Sequence, residues 1–178
     1  MSGLLSALFG VAAMAAVPAV QSGTGAGVEE HTATAVLRDA EGKSVGTASL
    51  RETQAGVLLK VEFTVIAPGV HGFHVHEHGR CDAPSFESAG GHLGRSGATH
   101  GFLQASRPHE GDLPNIHVPQ NRELTVEVII TGVTLRTGDG SLLDADGSAL
   151  VVHAGPDDYE SQPAGDAGSR IACGVIAH

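Results

Sequence analysis

Val57-Leu58-Leu59-Lys60-Val61-Glu62-Phe63-Thr64-Val65-Ile66, then the pair Pro68-Gly69, then Gly72-Phe73-His74-Val75-His76, is the stretch that decides the fold. Its first part alternates, with Lys60, Glu62 and Thr64 on one face and apolar residues on the other, the period-two pattern of a half-buried strand. Pro68-Gly69 turns the chain, and a second strand follows. There, residues two apart project to the same side. His74 and His76 therefore aim their imidazoles at one point, while Phe73 and Val75 face the opposite, packed side.

The pattern continues outward in both directions. Thr32 to Leu37 reads as a strand, Asp39-Ala40-Glu41-Gly42 as a turn and Val45 to Leu50 as the return strand. Downstream, Leu124 to Val133, Ala149 to His153 and Ile171 to Ile176 are further strands. Short strands separated by Gly-rich turns predict an antiparallel β-sandwich or barrel, and the 25 glycines agree. No segment predicts a helix of respectable length, and there is no internal repeat. With 178 residues, one domain suffices. There is no Trp and only one Tyr, so Val, Ile, Leu and Ala must fill the interior.

A formal charge of −10 argues against nucleic acid or an anionic membrane as partner, because both require a basic footprint. Leu4 to Val20 is apolar, ends near Val17-Pro18-Ala19 and leads into the loose Gln21-Ser22-Gly23-Thr24-Gly25. This resembles a secretory signal peptide, although no Lys or Arg precedes the apolar run. The run is short and Gly-interrupted for a bilayer span, so stable membrane insertion is not expected. The expected organisation is a signal peptide over 1–20, a flexible segment over 21–30 and a folded domain over 31–178, in a periplasmic or secreted protein. Cys81 and Cys173 agree with export. An even pair in an exported chain suggests a disulfide, worth roughly 4–5 kcal/mol for a loop of this length in the chain-entropy model. Two copper-binding thiolates are the alternative, disfavoured because enough other ligands are at hand.

Those ligands cluster. From Glu77 to about Gln120 the chain is dense in Gly, Ser, Pro and Asn without periodicity, and a loop that long inside a compact domain is either disordered or functional. It carries His92, His100, His109 and Asp112, so a metal ion can order it. A shorter loop, Ala154 to Ser169, carries Asp157, Asp158, Glu160 and Asp166. A single strand histidine is more often a hydrogen-bonded core residue than a ligand. Seven candidates in one pattern, these four with His74, His76 and His153, are another matter. His74, His76 and His153 suit copper in either redox state. His100, His109 and Asp112 suit tetrahedral zinc if one more ligand is found. His92 can serve both, because a deprotonated imidazole can bridge two cations. His71 is placed to buttress the site, whereas His31, His78, His117 and His178 lie outside the set.

Five segments carry a resemblance: Gly72 to Glu77, Ser88-Ala89-Gly90-Gly91-His92, His109-Glu110-Gly111-Asp112-Leu113-Pro114-Asn115, Val151-Val152-His153, and Gly168-Ser169-Arg170-Ile171-Ala172-Cys173-Gly174. From about Thr32 to Ile176 the chain resembles a copper/zinc superoxide dismutase of the bacterial, exported type. The resemblance implies an all-β Greek-key antiparallel barrel or sandwich of about eight strands with two long functional loops. It implies dismutation of superoxide to dioxygen and hydrogen peroxide by a redox-cycling copper bridged through a histidine to zinc. Copper falls to His74, His76, His92 and His153, and zinc to His92, His100, His109 and Asp112. His92 is the bridge and a proton carrier, and Arg170 guides the anionic substrate. Asp157 links a copper histidine to a zinc histidine, with its neighbour Asp158 as the other choice for that role. Cys81 pairs with Cys173. A homodimer and a monomer are both compatible with the family.

One departure stands out: the chain has only Lys43 and Lys60, and the loop Ala154 to Ser169 has no lysine. Steering must then rest on Arg170 and on Arg80, Arg95 or Arg107, and a weaker salt dependence of rate than in a lysine-rich homologue is expected. Among rival readings, a copper/zinc-binding or copper-buffering protein without turnover needs neither Arg170 nor a zinc loop. A zinc hydrolase needs an open water and a general base, which nothing near His74 and His76 supplies. A degenerate structural module is disfavoured because all seven ligands are intact.

Overall fold

Nine strands carry out the expected alternation in the structure, a computed structural model that describes residues 30–178. The expected signal peptide over 1–20, and residues 21–29 of the expected flexible segment, lie outside the described residues. In chain order the strands are β1 (Thr32–Arg38), β2 (Ser44–Thr53), β3 (Gly56–Phe63), β4 (Gly69–His71), β5 (Phe73–His76), β6 (Ile116–Val118), β7 (Leu124–Ile130), β8 (Ala149–His153) and β9 (Arg170–Val175). A single 3₁₀ turn, Glu87–Ala89, is the helical element among them.

Seven strands form one curled antiparallel sheet in the order β5-β8-β9-β1-β2-β3-β7. Within it, β9 returns beside β1 while β1, β2 and β3 run side by side, the Greek-key arrangement. β4 and β6 make a separate two-strand ribbon. β4 leads into β5 across Gly72 and β6 packs near β7, so the ribbon stands between the two outer strands of the large sheet.

Nine strands agree with the expected number of about eight, and the two of this ribbon are the ones the sequence pattern did not mark. Three residues each are too few for a periodic signal, and β6 lies inside the stretch read as structureless. β3 also stops at Phe63 rather than running to Ile66. The carbonyls of Val65 and Ile66 leave the ladder and accept hydrogen bonds from the Arg122 guanidinium at 2.6 and 3.2 Å. β7 ends at Ile130 rather than Val133, at a turn where Gly132 has φ +77°.

The core follows parity. Val57, Leu59, Val61 and Phe63 of β3 and Phe73 and Val75 of β5 point inward, and Phe63 meets Phe73 edge to face at 6.1 Å. Burying one such side chain stabilises by about 1.5–3 kcal/mol. A second cluster covers the other face of β8, where Ala149 and Val151 pack with Phe86, Ala89 and Cys173. Strand β5 is buried on both faces, its apolar side by the barrel and its histidine side by the two loops.

Candidate metal centre

β5 has β8 on one edge, with His74 opposite Val151 and His76 opposite Ala149. Its other edge would expose unpaired backbone groups, and the long loop fills it. Val75 N–H donates to Gly111 O at 2.9 Å, Leu93 N–H to Val75 O at 2.9 Å and Glu77 N–H to Gly91 O at 3.0 Å. This pairing sets His92 beside His76 and Asp112 beside His74. His153 ends β8 where the register against β9 slips.

Two four-residue groups result, each with its ligand atoms within 4.8 Å of one another: His74, His76, His92 and His153, and His92, His100, His109 and Asp112. In the first group, His74 Nδ1, His76 Nε2, His92 Nε2 and His153 Nε2 are buried without a partner. The opposite nitrogen of each ring is engaged. His74 Nε2 donates to Asp157 Oδ2 at 2.8 Å, His76 Nδ1 to Gly90 O at 3.0 Å, His92 Nδ1 to Asp112 Oδ1 at 2.8 Å and His153 Nδ1 to Gly168 O at 3.2 Å. These bonds fix the tautomers and turn four lone pairs inward. Buried polar atoms are rarely left unpaired, so four on neighbouring rings fit a cation that takes imidazole ligands. Burial holds three of these rings neutral, pushing His76 down to about 2, His153 to about 3 and His92 to about 4.

The second group converges on Asp112. His100 Nδ1 lies 3.1 Å and His109 Nδ1 3.4 Å from Asp112 Oδ1, while Gly101 N–H donates to Oδ2 at 3.0 Å. His100 carries its proton on Nε2, which donates to Asp157 Oδ1 at 3.0 Å. Its Nδ1 thus turns a lone pair toward the carboxylate oxygen, an arrangement that a cation between them relieves. Burial pushes Asp112 up, but hydrogen bonds from His92 and Gly101 outweigh it and hold the carboxyl below its ordinary range. Three nitrogens and one carboxylate oxygen are a closed zinc set.

Asp157 joins the groups, one oxygen to His74 and the other to His100. Burial works against its charge, yet the His74 hydrogen bond and the Tyr159 N–H bring it down to about 2. Asp158 turns away and accepts from Glu160 and Ser161. Asn115 clamps Asp157, donating to its carbonyl at 2.8 Å and accepting from its N–H at 2.8 Å. The Tyr159 hydroxyl accepts from Asn115 N–H at 2.8 Å. Gly165 passes so close that a Cβ there would fall 1.8 Å from Asp157 Oδ1. Sequence reasoning assigned none of these three a role; the one signal was Asn115 within the His109–Asn115 segment. His71 does reach the site, with Nδ1 and Nε2 at 2.8 and 2.9 Å from the carbonyls of His153 and Ala67.

Cys81 and Cys173 are bonded, so the long loop is tied to β9. Three residues before Cys173, Arg170 donates to Phe86 O and Gly90 O at 2.6 Å each. The Gly90 carbonyl thus serves Arg170 and His76 together. Arg80, Arg95 and Arg107 are all committed to carboxylates: Arg80 to Asp82, and Arg95 and Arg107 to Glu110. His31, His78, His117 and His178 belong to neither group.

The family described as copper/zinc superoxide dismutase (SODC) matches residues 44–176. Superoxide dismutase [Cu-Zn] 2 of Aquifex aeolicus is 47% identical over 150 residues, covering 83% of this chain and 88% of that protein. Superoxide dismutase [Cu-Zn] of Caulobacter vibrioides is 46% identical over 148 residues, covering 82% and 85%. The crystal structure of a SOD-like protein from Bacillus subtilis superposes with a TM-score of 0.77 at 34% identity, covering 80% of this chain and 96% of that one. The matched residues run from β2 into the last strand and include both histidine groups, and on that breadth this chain belongs to the copper/zinc superoxide dismutase family.

Proposed function

We propose that the protein dismutates superoxide to dioxygen and hydrogen peroxide, with copper held by His74, His76, His92 and His153 and zinc by His92, His100, His109 and Asp112. The single observation that carries the reading is the set of four buried, unpartnered imidazole nitrogens. One of them belongs to a ring whose other nitrogen already faces the second group. Copper, when bound, supplies one-electron exchange with successive superoxide molecules. The chain supplies the rest. Arg170 is a permanent cation whose guanidinium is anchored by two of its five N–H donors, which leaves others for an anion. His92 Nε2, buried and without a protein partner, can take up a proton and hand it on. Asp157 orients one ring of each group.

Export to the periplasm or outside belongs to the same proposal. It is supported by the apolar Leu4–Val20 run and by the Cys81–Cys173 bond, which persists in oxidising compartments. A homodimer and a monomer are both compatible with this reading, and sedimentation distinguishes them. The decisive experiment follows superoxide decay with protein carrying copper and zinc, and with protein carrying zinc alone. Decay proportional to the copper-loaded protein, absent with zinc alone, is expected. Decay no faster than in buffer would leave a metal-binding protein without turnover.

A further inference from the structure

Three of the four proposed zinc ligands are oriented at two points. His100 is held at Nε2 by Asp157, Asp112 at Oδ2 by two backbone N–H groups, and His92 faces the other histidine group. His109 differs. Its ring has a hydrogen-bond contact at Nδ1 alone among the described residues, and its side chain is 19% exposed where the other three are at most 2%. A ligand ring without a second bond must be oriented by packing.

That packing comes from Gly94. A Cβ at Gly94 would fall 2.4 Å from His109 Cδ2 and 3.1 Å from Cγ, so the backbone lies flush against the ring. The next residue is pinned. Arg95 N–H donates to Glu110 Oε2 at 3.0 Å, and the Arg95 guanidinium donates to Gly132 O at 2.9 Å in the turn after β7. Glu110 sits in the chain between His109 and Asp112, and its side chain is only 5% exposed. Its other oxygen takes Arg107 and the Arg95 guanidinium. A carboxylate so buried is costly unless paired, and here each oxygen is paired. Ordinary surface ion pairs contribute little, but this one closes a loop from His109 through Glu110 and Arg95 back to Gly94 on the His109 ring.

We propose that Glu110 is a positioning residue for the zinc site. Through Arg95, and itself braced by Arg107, it holds Gly94 on the His109 ring, so that the most exposed ligand is set before the metal arrives. The proposal rests on reading His92, His100, His109 and Asp112 as the zinc ligands.

The test uses the full mature protein loaded with copper and zinc, and a parallel sample with cobalt(II) in place of zinc. Zinc release to a chromophoric chelator and the visible spectrum of cobalt are measured for the native protein, Glu110→Gln, Arg107→Met and Gly94→Ala. Loss of an outer partner of a metal ligand typically weakens the site about 10–100-fold. Glu110→Gln is therefore expected to speed zinc release at least about tenfold and to shift the cobalt bands. Gly94→Ala should shift the bands in the same way, and Arg107→Met should act in the same direction by less. Should Glu110→Gln fail to fold, the other two variants carry the test. Unchanged release and an unchanged cobalt spectrum, even with a lower melting temperature, would make Glu110 a fold staple and overturn the proposal. Native protein that takes up no zinc at this set would overturn the ligand assignment as well.

Discussion

Asp157 shows what a single side chain contributes without touching substrate. Its two oxygens set the tautomers of His74 and His100, and so decide which nitrogen each ring turns inward. Asp157→Asn keeps the volume but offers one acceptor oxygen in place of two, so one ring must lose its partner. The expected outcome is metal affinity about 10–100-fold lower, read by chelator competition; unchanged affinity would show that the rings are held by packing alone. The residues of the two groups were legible from the sequence because His-x-His parity and the density of histidines in an aperiodic loop are local signals. Asn115 and Tyr159 were not, because their partners lie 42 and 44 residues away and nothing nearby in the chain marks them. Glu110 stood within the His109–Asn115 segment without a role of its own, because its partner Arg95 lies 15 residues away.

At the level of elements, strands of four or more residues were legible, by alternation as in β3 or as short apolar runs as in β8. The ribbon β4–β6 was too short, and the end of β3 was misplaced because Arg122, far along the chain, captures the carbonyls that would have extended it. The long loop was legible as functional through its lack of periodicity. That its backbone would complete the free edge of β5 was not, because backbone pairing leaves no trace in residue type. The disulfide anchors this loop to the strand that bears Arg170. Replacing Cys81 and Cys173 together by Ser should lower stability by about 4–5 kcal/mol in denaturant unfolding, since the bond closes a loop across 92 residues. Activity should fall further than copper content, because Arg170 leans on Phe86 and Gly90 of the tethered segment. Equal losses of both would detach Arg170 from the loop.

For the molecule as a whole, charge governs two behaviours. The arginines that might have steered an anion are paired with carboxylates, and the net charge is −10, so attraction is confined to Arg170. Between ~10 and ~200 mM salt, where the screening length shortens from about 30 Å to below 10 Å, the rate constant should change by less than about twofold. A fall of an order of magnitude would reveal long-range steering from elsewhere on the surface. Acid acts through the histidines. His76, His92 and His153 are lowered from an ordinary value of 6.5, burial being the first cause. The unfolded chain therefore binds protons that the folded chain refuses. This contribution to the stability of the metal-free protein is complete above about pH 6.5 and is lost progressively as pH falls through the folded values, about 4 for His92, about 3 for His153 and about 2 for His76, with up to about three protons taken up per molecule unfolded. Asp112 and Asp157, both lowered, add to the loss below about pH 4. Denaturant midpoints of the metal-free protein at several pH values read this directly, and a midpoint constant from pH 7 to 4.5 would contradict it.

The most direct measurement takes one preparation each of native protein and His92→Ala and determines copper, zinc and superoxide consumption on the same samples. About one copper and one zinc per chain with fast consumption, and loss of that consumption in His92→Ala, are expected if one imidazole joins the two groups. Full activity in His92→Ala, or stoichiometric metal without consumption in the native protein, would contradict a bridged copper–zinc centre that dismutates superoxide.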